Sequence, residues 1–438
     1  MSGGAMEVTT ALKALVKQIE RTQWTSPQEI ASVQFHHVGL LAEYCQRQSP
    51  FFAARLQRAG LTAADLADPA GFRRLPVMTR RDVQTAGAEL FCRDVPPGHG
   101  HVSETRTSGS TGEPVSIRRT TVNGLFWNAM VMRELLWHRR NLSGRLCTIT
   151  PLASEYVEHT DWGPPASVFA RTGPILSLPI AADVARLVQW VEEFQADIVA
   201  MFPSTLGAFT TYCRRHNRVL PHLRQVLTNS EMLSASVRAA AEDLFGITVA
   251  DCYSSEEFGA IALSCPESGL YHVMSESVLA EVLDDEGRPC KAGGIGRVTL
   301  TALHNYATPL VRYDIGDMAE VGASCPCGRG LPAWRRILGR ERNLILMPDG
   351  SRVWPVLGFR LSRDVAPVLQ YQLVQEDRQS VEARLVVERA LSPAEEDKLR
   401  GLFHEWIGHP FALRFSYFEG RLPTGSSGKF EEFVCNVP

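Results

Sequence analysis

Between residues 123 and 252 the chain repeats one pattern, and that pattern restricts the fold more than any other feature. Residues 123–139 are apolar and aromatic and read as a helix; Leu146, Cys147, Thr148, Ile149 and Thr150 then read as a buried strand. Val184, Leu187, Val188, Val191 and Phe194 recur at helical spacing, and the short apolar run 198–203 stops at Pro203. Residues 224–228 read as a strand, 236–245 as a helix ended by Gly246, and 247–252 as another strand. Helices alternating with short apolar strands predict a largely parallel sheet with helices on its faces. In such sheets ligands sit beyond the carboxyl ends of the strands. From Leu279 the period changes. Residues 279–283 and 296–301 alternate on either side of a turn at 284–289, which predicts antiparallel structure. Residues 7–60 read as helical, with Leu12, Leu15, Val16 and Ile19 on one stripe and Gly60 as a stop. Thr79 and Asp82 suit the cap and third position of a further helix. Residues 343–438 read as a separate α+β unit, with strands at 369–374, 381–387 and 413–418 and a helix at 393–406.

A chain of 438 residues has room for two or three domains and a large core. Its 45% hydrophobic and 21% charged content is that of a soluble globular protein. A net charge of −3 gives no reason to expect nucleic acid or an anionic membrane as partner. No apolar run is long enough to span a bilayer, and residues 1–6 lack the build of a signal peptide. Ten scattered cysteines suit reduced thiols, so the expectation is a cytoplasmic protein.

The candidate chemistry lies on a few short stretches. Thr107, Ser108, Gly109, Ser110, Thr111, Gly112, Glu113 and Pro114 form a glycine- and hydroxyl-rich loop between extended flanks. Glycines allow close backbone approach and Ser/Thr add donors, which suits a phosphate; no Lys-Ser/Thr follows, so it is not a Walker loop. The ordinary alternative is a polar surface turn. Tyr253-Ser254-Ser255-Glu256-Glu257 follows a strand and offers an aromatic ring and carboxylates for a base and a cation. The alternative there is a capping box opening a helix. Thr228, Asn229, Ser230 and Glu231 follow another strand, with an N-cap for the next helix as the alternative. Asp317 ends a buried-strand run in Gly316-Asp317, a carboxylate suited to ribose hydroxyls, and Arg340 follows about twenty residues on as an always-charged fork. Lys429 lies on a Gly/Ser-rich loop near the terminus, ordinarily a solvated tail. Cys265, His272, Cys325 and Cys327 make a Cys₃His set, a common zinc complement, although free cysteines are more often buried apolar residues.

In their order along the chain these stretches resemble adenylate-forming enzymes: acyl-CoA synthetases, adenylation domains and luciferases, and among them the phenylacetate–CoA ligase branch. The resemblance implies an α/β fold. A large N-terminal domain (1–341) of mixed and parallel sheets flanked by helices, with a β-barrel-like subdomain, would precede a small mobile α+β C-terminal domain (342–438). It implies ATP, Mg²⁺ and a carboxylic acid as partners, with CoA as the default acceptor, and it leaves a homodimer open. A carrier protein or an amine or other nitrogen nucleophile is the alternative acceptor, and a non-catalytic nucleotide-binding protein is the second alternative. By the resemblance 107–112 hold phosphate, with Thr111 catalytic; Asn229, Ser230, Glu231, Tyr253 and Ser255 border the nucleotide. Glu256 binds Mg²⁺, with Glu257 a second candidate, and Asp317 and Arg340 take ribose. Lys429 bridges the carboxylate and the α-phosphate. Some members of the branch hold zinc at positions matching the Cys₃His set. Arg342 falls at the hinge. Tyr156, His159, Trp162, Phe202 and Asn229 are the candidates for the acyl pocket, and their aromatic character suggests an aryl acid.

Overall fold

In the computed structural model of the chain, residues 2–106, 115–340, 344–353, 365–419, 422 and 430–437 are described. By internal contacts the chain forms two compact units. One comprises Met1–Thr148, Tyr156–Ser177 and Ala250–Ile337; the other comprises Ile149–Glu155, Leu178–Val249 and Leu338–Pro438.

The first unit opens on the helices Ser2–Thr22, Pro27–Gln48 and Pro50–Ala59. Ser26 and Glu29 close a capping box on the second, and Gly60 ends the third at φ +62, a left-handed cap that glycine adopts without strain. Thr79 caps Arg80–Ala86 with Asp82 answering from the third position, as the sequence predicts. The helix Thr121–Trp137 carries a fully enclosed Arg133. Its guanidinium donates to Glu276 Oε1 at 2.7 Å and to the Ile19 carbonyl at 2.6 Å, and Thr22 Oγ1 donates to the same carboxylate at 2.7 Å. Such a buried charge is tolerated only when paired, so this network ties two helices to the turn that holds Glu276.

The strands of this unit run side by side in the order Val278–Leu283, Ile295–Ala302, Tyr313–Val321, Ala333–Arg340, Tyr271–Val273, Gly259–Ser264 and Thr248–Ser255. Val278–Leu283 and Ile295–Ala302 pair antiparallel, as the alternation from Leu279 predicts. Val282, Val298, Leu300, Tyr313 and Trp334 close over Ile261 and Val273 to form one core. The short strands Val102–Arg106 and Ser116–Thr120 pair antiparallel, with Arg106 opposite Ser116. They are the extended flanks expected around the hydroxyl-rich loop. Residues 107–114, which include Thr107, Ser108, Gly109, Ser110, Thr111 and Gly112, lie outside the described residues, as do Arg342 and Lys429.

In the second unit Ile198–Met201 and Gln225–Asn229 pair parallel. The helices Val184–Glu193, Pro203–Arg215 and Ala235–Phe245 alternate with them, which is the arrangement the repeated pattern demands. Toward the C-terminus Ala412–Tyr417, Ser380–Val387, Val368–Gln375 and Phe433–Cys435 form a four-stranded sheet in that order. Leu399, Phe403, Trp406 and Ile407 of the helix Pro393–Ile407 pack on Tyr371, Leu373 and Leu385, so this segment has a hydrophobic core of its own. Among the described residues no helix is long and apolar enough to cross a membrane.

Candidate active site

Tyr253 and Asp317 are 64 positions apart in sequence and meet in the fold. The Tyr253 hydroxyl donates to Asp317 Oδ2 at 2.5 Å. Both residues stand beside irregularities in the sheet. Thr299 pairs with Asp314 and Arg297 with Met318, so residues 315–317 face the single residue Val298. Gly316, at φ +81, makes that bulge possible, and its N–H donates to Asp314 Oδ1 at 2.8 Å. A bulge re-aims the side chain it carries, here Asp317. The register of Thr248–Ser255 against Gly259–Ser264 likewise shifts between Tyr253 and Ser254. The Tyr253 ring lies 6.1 Å from Trp334, tilted by 59°.

Residues 253–259 do not open a helix. Thr248–Ser255 turns directly into Gly259–Ser264, and Ser255 Oγ accepts the Phe258 N–H at 3.2 Å across the turn. The pairing of two long strands outweighs the local capping preference. Glu256 sits on this turn with 62% of its side chain exposed, and Arg119 donates to its Oε2 at 2.8 Å. Glu257 is only 10% exposed and faces Arg80 at 3.8 Å. Of the two carboxylates, Glu256 is the one open to a ligand.

The other nucleotide candidates belong to the second unit. Asn229 ends the strand Gln225–Asn229, and Ser230 follows at φ +69, a left-handed conformation rare for a non-glycine residue. Glu231 accepts the Ser204 N–H on Oε2 at 2.9 Å and the Phe430 N–H on Oε1 at 3.1 Å. Phe202 precedes the helix Pro203–Arg215, and Arg340 closes the strand Ala333–Arg340. Of the acyl-pocket candidates in the first unit, Tyr156 is exposed and donates to Glu158 Oε2 at 3.3 Å. His159 ends the three-residue strand Val157–His159 and is exposed. Trp162 donates from Nε1 to the Gly144 carbonyl at 3.1 Å and packs against the core beneath the first helix.

Cys265, His272, Cys325 and Cys327 converge, with all four ligand atoms within 4.8 Å of one another. Cys265 follows Gly259–Ser264, His272 lies on Tyr271–Val273, and the other two lie between Tyr313–Val321 and Ala333–Arg340. Cys325 Sγ is 3.8 Å from Cys265 Sγ, and Cys327 Sγ is 3.3 Å from His272 Nε2. A tetrahedral ion with ordinary zinc bond lengths requires edges of about 3.8 Å for S···S and about 3.6 Å for S···N. His272 Nδ1 lies 3.3 Å from the Leu331 carbonyl, so that nitrogen carries the proton and Nε2 is left as the ligand atom. Burial pushes the Cys265 thiol up, but hydrogen bonds with His272, Ser268 and the backbone amides of Glu267 and Ser268 outweigh it and bring it down to about 5.

Residues 106–303 match the AMP-binding enzyme family. The phenylacetate–coenzyme A ligase of Thermus thermophilus is 25% identical over 347 residues, 76% of this chain and 75% of that protein. The Escherichia coli enzyme of the same name is 22% identical over 353 residues, 77% of each. The chain thus carries an AMP-binding enzyme domain and is similar to phenylacetate–coenzyme A ligases. Solved structures show the same fold. A 2-hydroxyisobutyryl-CoA ligase in complex with its acyl-adenylate superposes with a TM-score of 0.74 at 18% identity, over 95% of this chain and 92% of that one. An anthranilate CoA ligase with anthranoyl-AMP gives 0.54 at 20% identity, over 75% and 64%. Sequence reasoning missed Arg119, the partner of Glu256, and the amide partners of Glu231. Arg119 has no signal of its own, because its partner lies 137 positions away. A signal for Glu231 existed: Phe202 and Pro203 begin a helix with no side chain able to cap it, so a remote acceptor was needed.

Proposed function

We propose that the protein activates a carboxylic acid with ATP and passes the acyl group to CoA. The substrate carboxylate oxygen attacks the α-phosphorus, the bond to the β-phosphate breaks, and pyrophosphate leaves with the acyl-adenylate formed. The CoA sulfur then attacks the acyl carbon, and AMP leaves. The observation that carries this reading is the Tyr253–Asp317 contact at 2.5 Å, which joins the residues suited to adenine and to ribose. In the same reading 107–112 hold the departing phosphates, Arg340 adds charge at the ribose or phosphate, and Asn229 and Ser230 border the base through backbone. Lys429 stabilises the charge that develops in transfer. Glu256 is the residue that would hold Mg²⁺, whose chemistry is charge neutralisation on the phosphates. The exposure of its carboxylate, 62% of the side chain, supports that role, and Arg119 would have to release it. Cys265, His272, Cys325 and Cys327 would hold a structural zinc, supported by the match of their spacings to a tetrahedral set. The names of the relatives favour an aryl acid.

The test is ATP–pyrophosphate exchange with phenylacetate, benzoate and short hydroxy acids, followed by thioester formation on adding CoA. Acid-dependent exchange and CoA-dependent release of AMP are expected. Saturable ATP binding with no exchange for any acid would replace this reading with a nucleotide-binding protein.

A further inference from the structure

The turn between Thr248–Ser255 and Gly259–Ser264 carries two glutamates, and an arginine faces each of them. Arg80 and Glu257 form the covered pair, 3.8 Å apart. Arg119 and Glu256 form the open one: Arg119 Nη2 donates to Glu256 Oε2 at 2.8 Å, with 29% of the arginine side chain and 62% of the glutamate exposed. The backbone of Arg119 is fixed opposite Ser103 in the paired strands Val102–Arg106 and Ser116–Thr120. Its Nε is buried with no partner among the described residues, so the guanidinium has not spent all its donors on Glu256. We propose that Arg119 is a further phosphate-binding residue of the activation step: it covers Glu256 while no nucleotide is bound, and turns its guanidinium to one of the departing phosphates of ATP when Glu256 takes up the divalent cation. This rests on the Mg²⁺ role given to Glu256 above.

The open pair separates at little cost, because an exposed ion pair contributes little and Arg119 can turn by rotamer changes while its strand stays in place. Separation leaves Arg119 without a carboxylate among the described residues. Its charge then stands beside the phosphates, because a divalent cation gathers carboxylate and phosphate oxygens into one coordination shell. A guanidinium suits that neighbour: its planar fork matches phosphate oxygens and it stays charged at every pH the protein meets. An unmet buried donor is destabilising, so an arriving acceptor is favoured. The departing phosphates carry most of the charge of ATP, and AMP lacks them. Arg119 should therefore tell the two nucleotides apart, which a residue that merely shapes the turn would not do.

Calorimetric titration of the full-length chain with ATP and with AMP tests this, with Mg²⁺ present and no acid, so that no turnover is involved. Arg119→Gln should weaken ATP binding about tenfold, the usual loss with one bond to a charged group, and leave AMP binding within about twofold. Arg119→Lys keeps the charge and loses the fork, so it should weaken ATP by a smaller factor and again spare AMP. The lysine variant carries the same comparison if the glutamine variant does not fold. Equal weakening of ATP and AMP would mean that Arg119 only holds the turn in shape, and tighter ATP binding would mean that it only shields Glu256. Either result overturns the proposal, as does unchanged ATP affinity. A wild-type chain that binds neither nucleotide refutes the proposed function and this assignment together, whereas a wild-type chain that exchanges pyrophosphate while Arg119→Gln binds ATP as tightly refutes the assignment alone.

Discussion

Replacing Cys327 by serine tests the Cys₃His cluster, and its cost follows from the spacing of the ligands. Cys265 and Cys325 are 60 positions apart and their sulfurs 3.8 Å apart, so an ion bound there closes a long loop. Treated as a covalent cross-link, closing 60 residues lowers the entropy of the unfolded chain by an amount worth about 4 kcal/mol, a ceiling for a bond that can dissociate. For a unit of some 250 residues, 4 kcal/mol corresponds to about 8–16 °C in Tm. Purified protein should carry about one zinc per chain by elemental analysis, the complement of one four-ligand site. Removing it with a chelator should lower Tm by that order, and added zinc should restore it. Cys327→Ser should lose the metal and show the same lowered Tm with or without chelator. Cys290→Ser, whose sulfur donates to the Ile295 carbonyl away from the cluster, should behave as wild type. Metal-free protein with an undiminished Tm refutes the assignment, and a chelator-induced drop that persists in Cys327→Ser places the metal elsewhere.

Lys429→Ala should lower pyrophosphate exchange by about 10²–10³-fold, the usual cost of one transition-state donor, while ATP titration gives near-wild-type affinity; unchanged exchange rejects the role. His304 supplies a pH test. Burial, opposed by its bond to the Glu276 carbonyl at 2.8 Å and aided by His37 and His99, lowers its pKa to about 4. The folded value lies below the ordinary one, so this stability is fully present above about pH 6.5 and is lost as pH falls through about 4. The part-exposed ring makes about 3 kcal/mol a ceiling. His304→Gln should flatten that portion of the urea-midpoint profile between pH 6.5 and 4, and an unchanged slope would show that another group governs it.

What was legible in the sequence was local. The capping box at Thr79 and Asp82 and the left-handed glycines Gly60 and Gly246 mark helix ends through bonds within a few residues. The period of apolar residues likewise marked the parallel pair and the later antiparallel strands. The turn after Tyr253 was ambiguous because a serine before two glutamates suits a helix cap equally well; Gly259–Ser264, which decides it, acts by strand pairing rather than local preference. The cluster of Cys265 with Cys325 was suggested by residue types alone, but its closeness depends on the order of the sheet, which no short window of sequence contains. Arg119 was invisible for the same reason.

The bulge at residues 315–317 separates the history of the sheet from that of Asp317, the residue proposed to take ribose. On either side of it the two strands keep their pairing, but with a register offset of two residues, seen in Asp314 opposite Thr299 and Met318 opposite Arg297. Two is the period of a strand, so excising two of these residues would merge the ladders without turning a single side chain to the wrong face, whereas excising one would invert everything beyond it. Asp317 is therefore carried on an even-numbered insertion that the barren sheet does not need. Deleting Gly316 and Asp317 together should yield a stable chain blind to nucleotide, the kind of intermediate through which a binding site can be gained or shed without passing through an unfolded ancestor.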